Sequence, residues 1–286
     1  MTNLQRSKIK LDPSDFYKLT ELIIECPWIQ SEAHSLADLW NLCESPKEEE
    51  LIIDLIKRFT CLNDLLLKKQ CEKVRKVIIE EWELKSDYSF IIAVSDDLEA
   101  DGSQYFLNIL KGNFAAIPNW KEKNFKNTIG AVHEIQDNST IILLDDFIGT
   151  GKTIIRKAKW VQKTLLEAGK RKMKIKIVAI AGMEFSKYDL DELNLDYYVP
   201  LWLKKGISDY YEGIELYDAI QTMETLESKL KGKYNNKKLR DFAFGYGRSE
   251  SLYSINTNSV PNNVFPIFWW PLLSDGLYRK TLFNRL

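Results

Sequence analysis

The chain has 286 residues, a length that suits one large domain or one ordinary domain with a smaller companion, and two units are the expectation. Its 45% apolar and 28% charged residues can bury a sizeable core, which excludes disordered, collagenous and low-complexity chains. Forty basic against forty-one acidic side chains leave a net charge of −1, so no global field holds nucleic acid or an anionic membrane, and any such contact is local.

Residues 1–15 are polar and mixed in charge. The longest nearly apolar run, 264–273, is about half of the ~20 residues of a membrane span and holds two prolines. No membrane segment or leader is expected, and the predicted location is cytoplasmic. Cys26, Cys43, Cys61 and Cys71 occupy the first quarter without a CxxC pair, which reads as reduced thiols. His34 and His133 lack metal-ligand spacing, so histidine-based zinc chemistry is not expected.

Between residues 15 and 84 the apolar positions recur every three or four residues. Phe16, Leu19, Leu22, Ile23 and Cys26 form one stripe, Leu51, Ile52, Leu55, Ile56 and Phe59 a second, and Val74, Val77, Ile78 and Trp82 a third. Pro27 and Pro46 punctuate them, and Glu48 to Glu50 supply an acidic first turn. The spacing predicts a small all-α domain over residues 1–85, for packing, for docking a protein partner, or for a homo-oligomer. Lys68, Lys69, Lys73, Arg75 and Lys76 read as its solvated face. Nucleic acid is expected only through a partner complex.

From Tyr88 the pattern changes. Short β-branched and aromatic runs, 90–94, 140–144, 175–181 and 197–199, end in acidic or glycine-containing loops and alternate with helical stretches. Near-continuous apolar strands belong to a parallel sheet covered on both faces. Residues 86–286 are therefore expected to be α/β, ending in an aromatic tail. Ligands bind at the carboxyl ends of such strands, so Asp96, Asp97, Asp145 and Asp146 should converge on one crevice. The stretch with Lys121, Lys123 and Lys126 is a solvated loop or a lid over an anion.

The informative segment is Ile141-Ile142-Leu143-Leu144-Asp145-Asp146-Phe147-Ile148-Gly149-Thr150-Gly151-Lys152-Thr153-Ile154. It reads as a buried strand, two carboxylates at its exit, a tight loop, then a helix with Ile154, Ala158, Val161 and Leu165 on one face. Glycines let amides approach an anion, the threonines add donors, and the helix amino end adds partial positive charge. Carboxylates a few ångströms away suit vicinal hydroxyls. Phosphate beside a diol is ribose 5-phosphate. A Walker A loop needs glycine where Asp146 stands. A plain strand-turn-helix capped by an aspartate accounts for one acid but not for the whole string.

This segment resembles the phosphoribosyl pyrophosphate (PRPP) signature of type I phosphoribosyltransferases, and its Gly-Lys-Thr ending looks most like the hypoxanthine-guanine branch. The resemblance assigns the ribose hydroxyls to Asp145 and Asp146 and the 5′-phosphate to Gly149, Thr150, Gly151, Lys152 and Thr153. With Asp101-Gly102-Ser103, Gly245-Tyr246-Gly247 and the 260–269 tail, the part after Tyr88 also looks like the phosphoribosyltransferase-like proteins of bacterial conflict systems, including those beside retrons. A fold of parallel-sheet phosphoribosyltransferase type follows from the same likeness. Departures accompany it. Purine-transferring relatives carry an aspartate where Gly149 stands and a lysine where Met183-Glu184 stands, which removes the obvious base and purine salvage with it. The loop with Ser95, Asp96 and Asp97, expected to face pyrophosphate, is acidic, so it recruits Mg²⁺ as a bridge, takes another ligand, or is a solvated turn. Tyr246 and Asn263 are candidates for a hood over the base, although the tail aromatics suit a hydrophobic core better. The expected function is a phosphoribosyltransferase-like protein that binds PRPP or a nucleotide and acts at ribose C1′, as transferase or N-glycosidic hydrolase, in antiphage defence. The alternative is a catalytically silent nucleotide sensor or structural subunit.

Overall fold

The computed structural model describes residues 11–95, 102–256 and 260–285. The chain divides into two compact units: Met1–Asn63 with Lys204–Leu286, and Asp64–Leu203. This differs from the expected boundary between residues 85 and 86, because the last part of the helical region belongs with the sheet and the tail belongs with the amino-terminal helices.

In the first unit, α1 (Pro13–Glu25) starts where the Asp12 side chain accepts from the Ser14 and Asp15 amides and the Asp15 carboxylate accepts from the Asp12 amide, with Pro13 in the first turn. It buries Leu19 and Leu22 and ends before Pro27. After α2 (Ala33–Trp40) comes α3 (Pro46–Arg58), capped by Ser45. Its Glu48 and Glu49 lie in the first turn and Lys57 and Arg58 in the last, each favoured by the helix dipole. Leu51, Ile52, Leu55 and Ile56 are buried, as their spacing predicts. The region is not purely helical: β1 (Thr60–Leu62) pairs in parallel with the tail segment Tyr253–Ile255.

The second unit opens with α4 (Asp64–Lys76), which buries Leu67, Cys71 and Val74. Then follow β2 (Ser89–Ala93), α5 (Gly102–Asn113), β3 (Phe125–Lys126), β4 (Thr140–Ile148), α6 (Lys152–Glu167), β5 (Lys174–Met183), α7 (Lys187–Asp191), β6 (Asp196–Tyr198) and β7 (Leu201–Leu203). The sheet order is β3-β2-β4-β5-β6, β7 also pairs with β5, and every pairing is parallel. The α/β expectation therefore holds for this unit. Helix α4 packs on α5 and β5, which is why it belongs here. Ile141 and Leu143 of β4 share a core with Ile154, Ala158, Val161 and Leu165 of α6. The lysine-rich stretch is tied to the sheet edge. Buried Asn124 donates to the carbonyls of Ser86 and Ser89 at 2.5 and 2.9 Å, and Phe125 and Lys126 pair with β2.

The chain then returns to the first unit with α8 (Gly213–Ser228). A hairpin follows, β8 (Lys233–Tyr234) and β9 (Lys237–Lys238), turned by Asn235 and Asn236 at φ 45° and 63°, the positive angles that such a two-residue turn requires. The tail strand is β10 (Tyr253–Ile255). Phe265, Phe268, Trp269 and Trp270 are buried in one core with Leu51, Ile52 and Leu55, and Phe59 stacks on Phe283 at 4.8 Å.

Candidate functional site

The site grows from the way β4 hands over to α6. Three residues, Gly149, Thr150 and Gly151, make the connection. Gly151 holds φ +76°, the left-handed region where a side chain is strained, and a Cβ there would lie 3.3 Å from Ile155 Cδ1. Its carbonyl accepts from the Ile155 amide at 3.0 Å and so starts the α6 ladder. Among the described residues no side chain caps the first amides of this sixteen-residue helix, and a helix amino end of this kind can accept an anion. Gly149 and Gly151 are buried, Thr150 is half-buried, and Lys152 and Thr153 are exposed.

The acidic pair does not follow the strand but lies within it. Asp145 stands in register with Ala179, and pairing continues through Ile148 with Gly182. Successive strand residues face opposite sides. Asp145 and Asp146, as neighbours in the strand, therefore leave it on alternate sides. On its side, the Asp146 carboxylate lies against Gly102, the first residue of α5. A Cβ on Gly102 would stand 1.9 Å from Asp146 Oδ2 and 2.3 Å from its Cγ. The carboxylate thus meets the amino end of a helix, a favourable place for negative charge. The Asp146 amide donates to Asp145 Oδ1 at 3.0 Å, which ties the two acids together across the pleat.

Ser95 lies just past β2, the neighbour of β4. It is buried; its hydroxyl donates to the Asn127 carbonyl at 2.8 Å and accepts from Gln104 Nε2 at 2.8 Å, so it pins two segments together. Asp96 and Asp97, the acids expected to hold Mg²⁺, lie outside the described residues. Among the described residues no group of three or more His, Cys, Asp and Glu side chains could hold a metal. Tyr246 and Asn263 belong to the first unit. Asn263 Nδ2 donates to the Tyr246 carbonyl at 3.2 Å and to Ser249 Oγ at 2.7 Å, and the Tyr246 amide donates to the Asn262 carbonyl at 2.8 Å. The Asn263 side chain therefore joins two tail segments, while Tyr246 is exposed.

Sequence reasoning missed two supports. Gly102 stood inside a motif piece, but only its distance to Asp146 gives it a reason to be glycine. Ser186, fully buried, donates to the Met183 carbonyl at 2.7 Å and backs Gly151, whose Cβ would lie 3.7 Å from the Ser186 Cβ. No local sequence signal marks it.

The family model PRTase-CE matches residues 30–285. The chain belongs to the PRTase-CE family. The match spans both units, so α2, α3 and α4 lie within the extent of this phosphoribosyltransferase-type family and are not an appendage to it. Among solved structures, the adenine phosphoribosyltransferase from Thermoanaerobacter pseudethanolicus ATCC 33223 is similar at 12% identity over 55% of this PRTase-CE chain and 99% of that one, with a TM-score of 0.34. That likeness is too distant to add to the assignment. Comparison with curated proteins found no match. No helix among the described residues is long and apolar enough to cross a membrane.

Proposed function

We propose that this PRTase-CE protein binds the ribose 5-phosphate group of PRPP or of a nucleotide at the β4–α6 junction and acts at ribose C1′. The observation that carries the reading is the three-residue connection that turns at Gly151 from a strand bearing two carboxylates straight into the amino end of a sixteen-residue helix. The amides of Gly149 to Thr153 and the hydroxyls of Thr150 and Thr153 would hold the phosphate, with Lys152 adding charge at its open side. Asp145 would accept from a ribose hydroxyl. Asp146, held by the α5 end, would fix the second hydroxyl or set the position of Asp145 through its own amide. Two placed carboxylates next to the sugar favour the positive charge that develops at C1′ as its bond to the leaving group lengthens. Mg²⁺ would shield a pyrophosphate leaving group; Asp96 and Asp97 are the donors proposed for it, beside Ser95. An antiphage setting, retron-associated or otherwise, belongs to the same proposal and rests on the motif resemblance alone.

A second reading is favoured by one residue. Gly149 offers no side chain as general base where purine-transferring relatives have a carboxylate, which suits a silent nucleotide-binding subunit. One experiment separates them. The wild type and D145N/D146N are titrated calorimetrically with PRPP and a nucleotide panel in Mg²⁺, and long incubations are read by mass spectrometry. Saturable binding lost in the double variant supports the ribose-phosphate site. A new ribosylated or hydrolysed product makes it an enzyme, and binding without product makes it a sensor. Wild-type binding in D145N/D146N overturns both.

A further inference from the structure

The first unit contains a cavity of about 570 Å³ that no part of the ribose-phosphate reading uses. Its walls are Glu224 and Glu227 near the end of α8, Lys238 at the end of the hairpin with Leu239 and Arg240 after it, and Ala243, Phe244 and Arg248 from the next turn. The volume lies in the range of small-ligand sites, roughly 300–1,000 Å³. Leu239, Ala243 and Phe244 give it an apolar body, and the Arg248 guanidinium lies over the Phe244 ring, 4.2 Å from its centroid. Lys238, Arg240 and Arg248 are exposed cations facing one exposed acid, Glu224; Arg240 also lies 3.6 Å from Asp241.

The turn is built under strain. Phe244, Arg248 and Glu250 hold φ of 56°, 51° and 51°, and Gly245 and Gly247 are also left-handed. Each non-glycine residue there costs roughly 1–2 kcal/mol, and such strain persists only where the surroundings impose it. Here they do. Glu250 accepts from the Ile207 and Ser208 amides and the Ser208 hydroxyl. The Phe244 amide donates to Glu227 at 3.1 Å, and a Cβ on Gly245 would lie 1.8 Å from the Asn263 carbonyl oxygen. The result fixes Phe244 and Arg248 on the cavity wall.

Glu227 adds a buried acid to the same wall. It is only 5% exposed, lines the cavity, and accepts from one backbone amide. Burial pushes its carboxyl up to about 8, with Glu224 adding to the rise and the Phe244 amide and Arg248 opposing it. A carboxyl raised this far keeps its proton at neutral pH, so the three cations of the wall face one negative group, Glu224.

We propose that this cavity binds small organic anions built on a flat ring, the ring against Leu239 and Ala243, the anionic group at Lys238, Arg240 and Arg248, and the polar edge of the ring beside the Glu227 carboxyl. The site stands independently of the ribose-phosphate reading. The test is calorimetry on the full chain with two probes, anilinonaphthalene sulfonate and adenosine 5′-monophosphate, against their uncharged counterparts phenylnaphthylamine and adenosine. Each probe that binds is expected to bind more tightly than its counterpart, and K238A/R240A to weaken it about tenfold or more. Between pH 7 and pH 9 wild-type affinity should fall about tenfold as Glu227 ionises, and E227Q, which keeps an acceptor for Phe244, should abolish that fall. The signature should persist in the D145N/D146N background, which removes the nucleotide binding proposed at the β4–α6 junction and leaves this cavity as the site read. Binding of the nucleotide alone assigns the anion to phosphate, and of the sulfonate alone to an aromatic acid. Failure of both below about 1 mM, equal affinity for the uncharged compounds, or affinity unmoved by K238A/R240A overturns the site.

Discussion

Gly102 provides the sharpest test of how the acidic pair is held. A glycine-to-alanine change near a helix start, where no positive φ is required, ordinarily stabilises by ~0.4–1 kcal/mol because it restricts the unfolded chain. Here the sign should reverse. The added Cβ would fall 1.9, 2.3 and 2.8 Å from Asp146 Oδ2, Cγ and Oδ1. These separations are far inside van der Waals contact, so the carboxylate must rotate away from the α5 amino end and give up its place there. Overpacking of this kind costs about 1–3 kcal/mol. The alanine should cost nothing once the carboxylate is gone, so a double-mutant cycle isolates the effect. G102A is expected to destabilise the wild type and to stabilise D146A slightly, a coupling of about 2 kcal/mol or more. Equilibrium urea unfolding of the four proteins reads it, and PRPP titration of G102A should show the matching loss of affinity. If G102A stabilises on its own, or changes both backgrounds equally, Asp146 is not packed on Gly102 and the account of the split pair is wrong.

Gly151→Ala should destabilise by about 1–2 kcal/mol, because the left-handed φ of +76° penalises any Cβ, while Gly151→Asn should recover part of that loss; equal urea midpoints for the three proteins would remove the turn from the argument. Glu227 predicts a pH dependence of stability. Its folded carboxyl is raised from 4.5 to about 8, so the folded chain holds the proton that the unfolded chain releases. The stabilisation is complete below the ordinary carboxylate range and is lost as pH rises through about 8. Wild type should lose on the order of several kcal/mol across that window, and E227Q should lack this slope and be the more stable protein at pH 8.5. Parallel wild-type and E227Q curves in urea would contradict the burial of this acid.

What could be read from the sequence follows the length of each element. The stripes of α3 and α6 repeat over three or four turns, and β2, β4 and β5 carry uninterrupted apolar runs, so periodicity alone reveals them. Strands β1, β3 and β7 have two or three residues each, below one full alternation, and exist because a neighbouring strand offers a ladder. The same blindness to partners misplaced the acids. Asp145 and Asp146 break an apolar run, which looks like a strand end, yet β5 extends to Met183 and keeps β4 paired through Ile148.

The division of the chain shows the same dependence on distant partners. Read locally, the amino-terminal helices are a docking module and the tail aromatics are a hood or a core. Leu51, Ile52 and Leu55 from one end of the chain and Phe265, Phe268 and Trp270 from the other are buried together, and β1 takes its ladder from β10. Neither segment has an interior of its own. An amphipathic helix without its apolar partner is marginal in water, and aromatic side chains this large are stable only where something covers them. The stripes of α1 and α3 and the aromatic tail are therefore parts of one core.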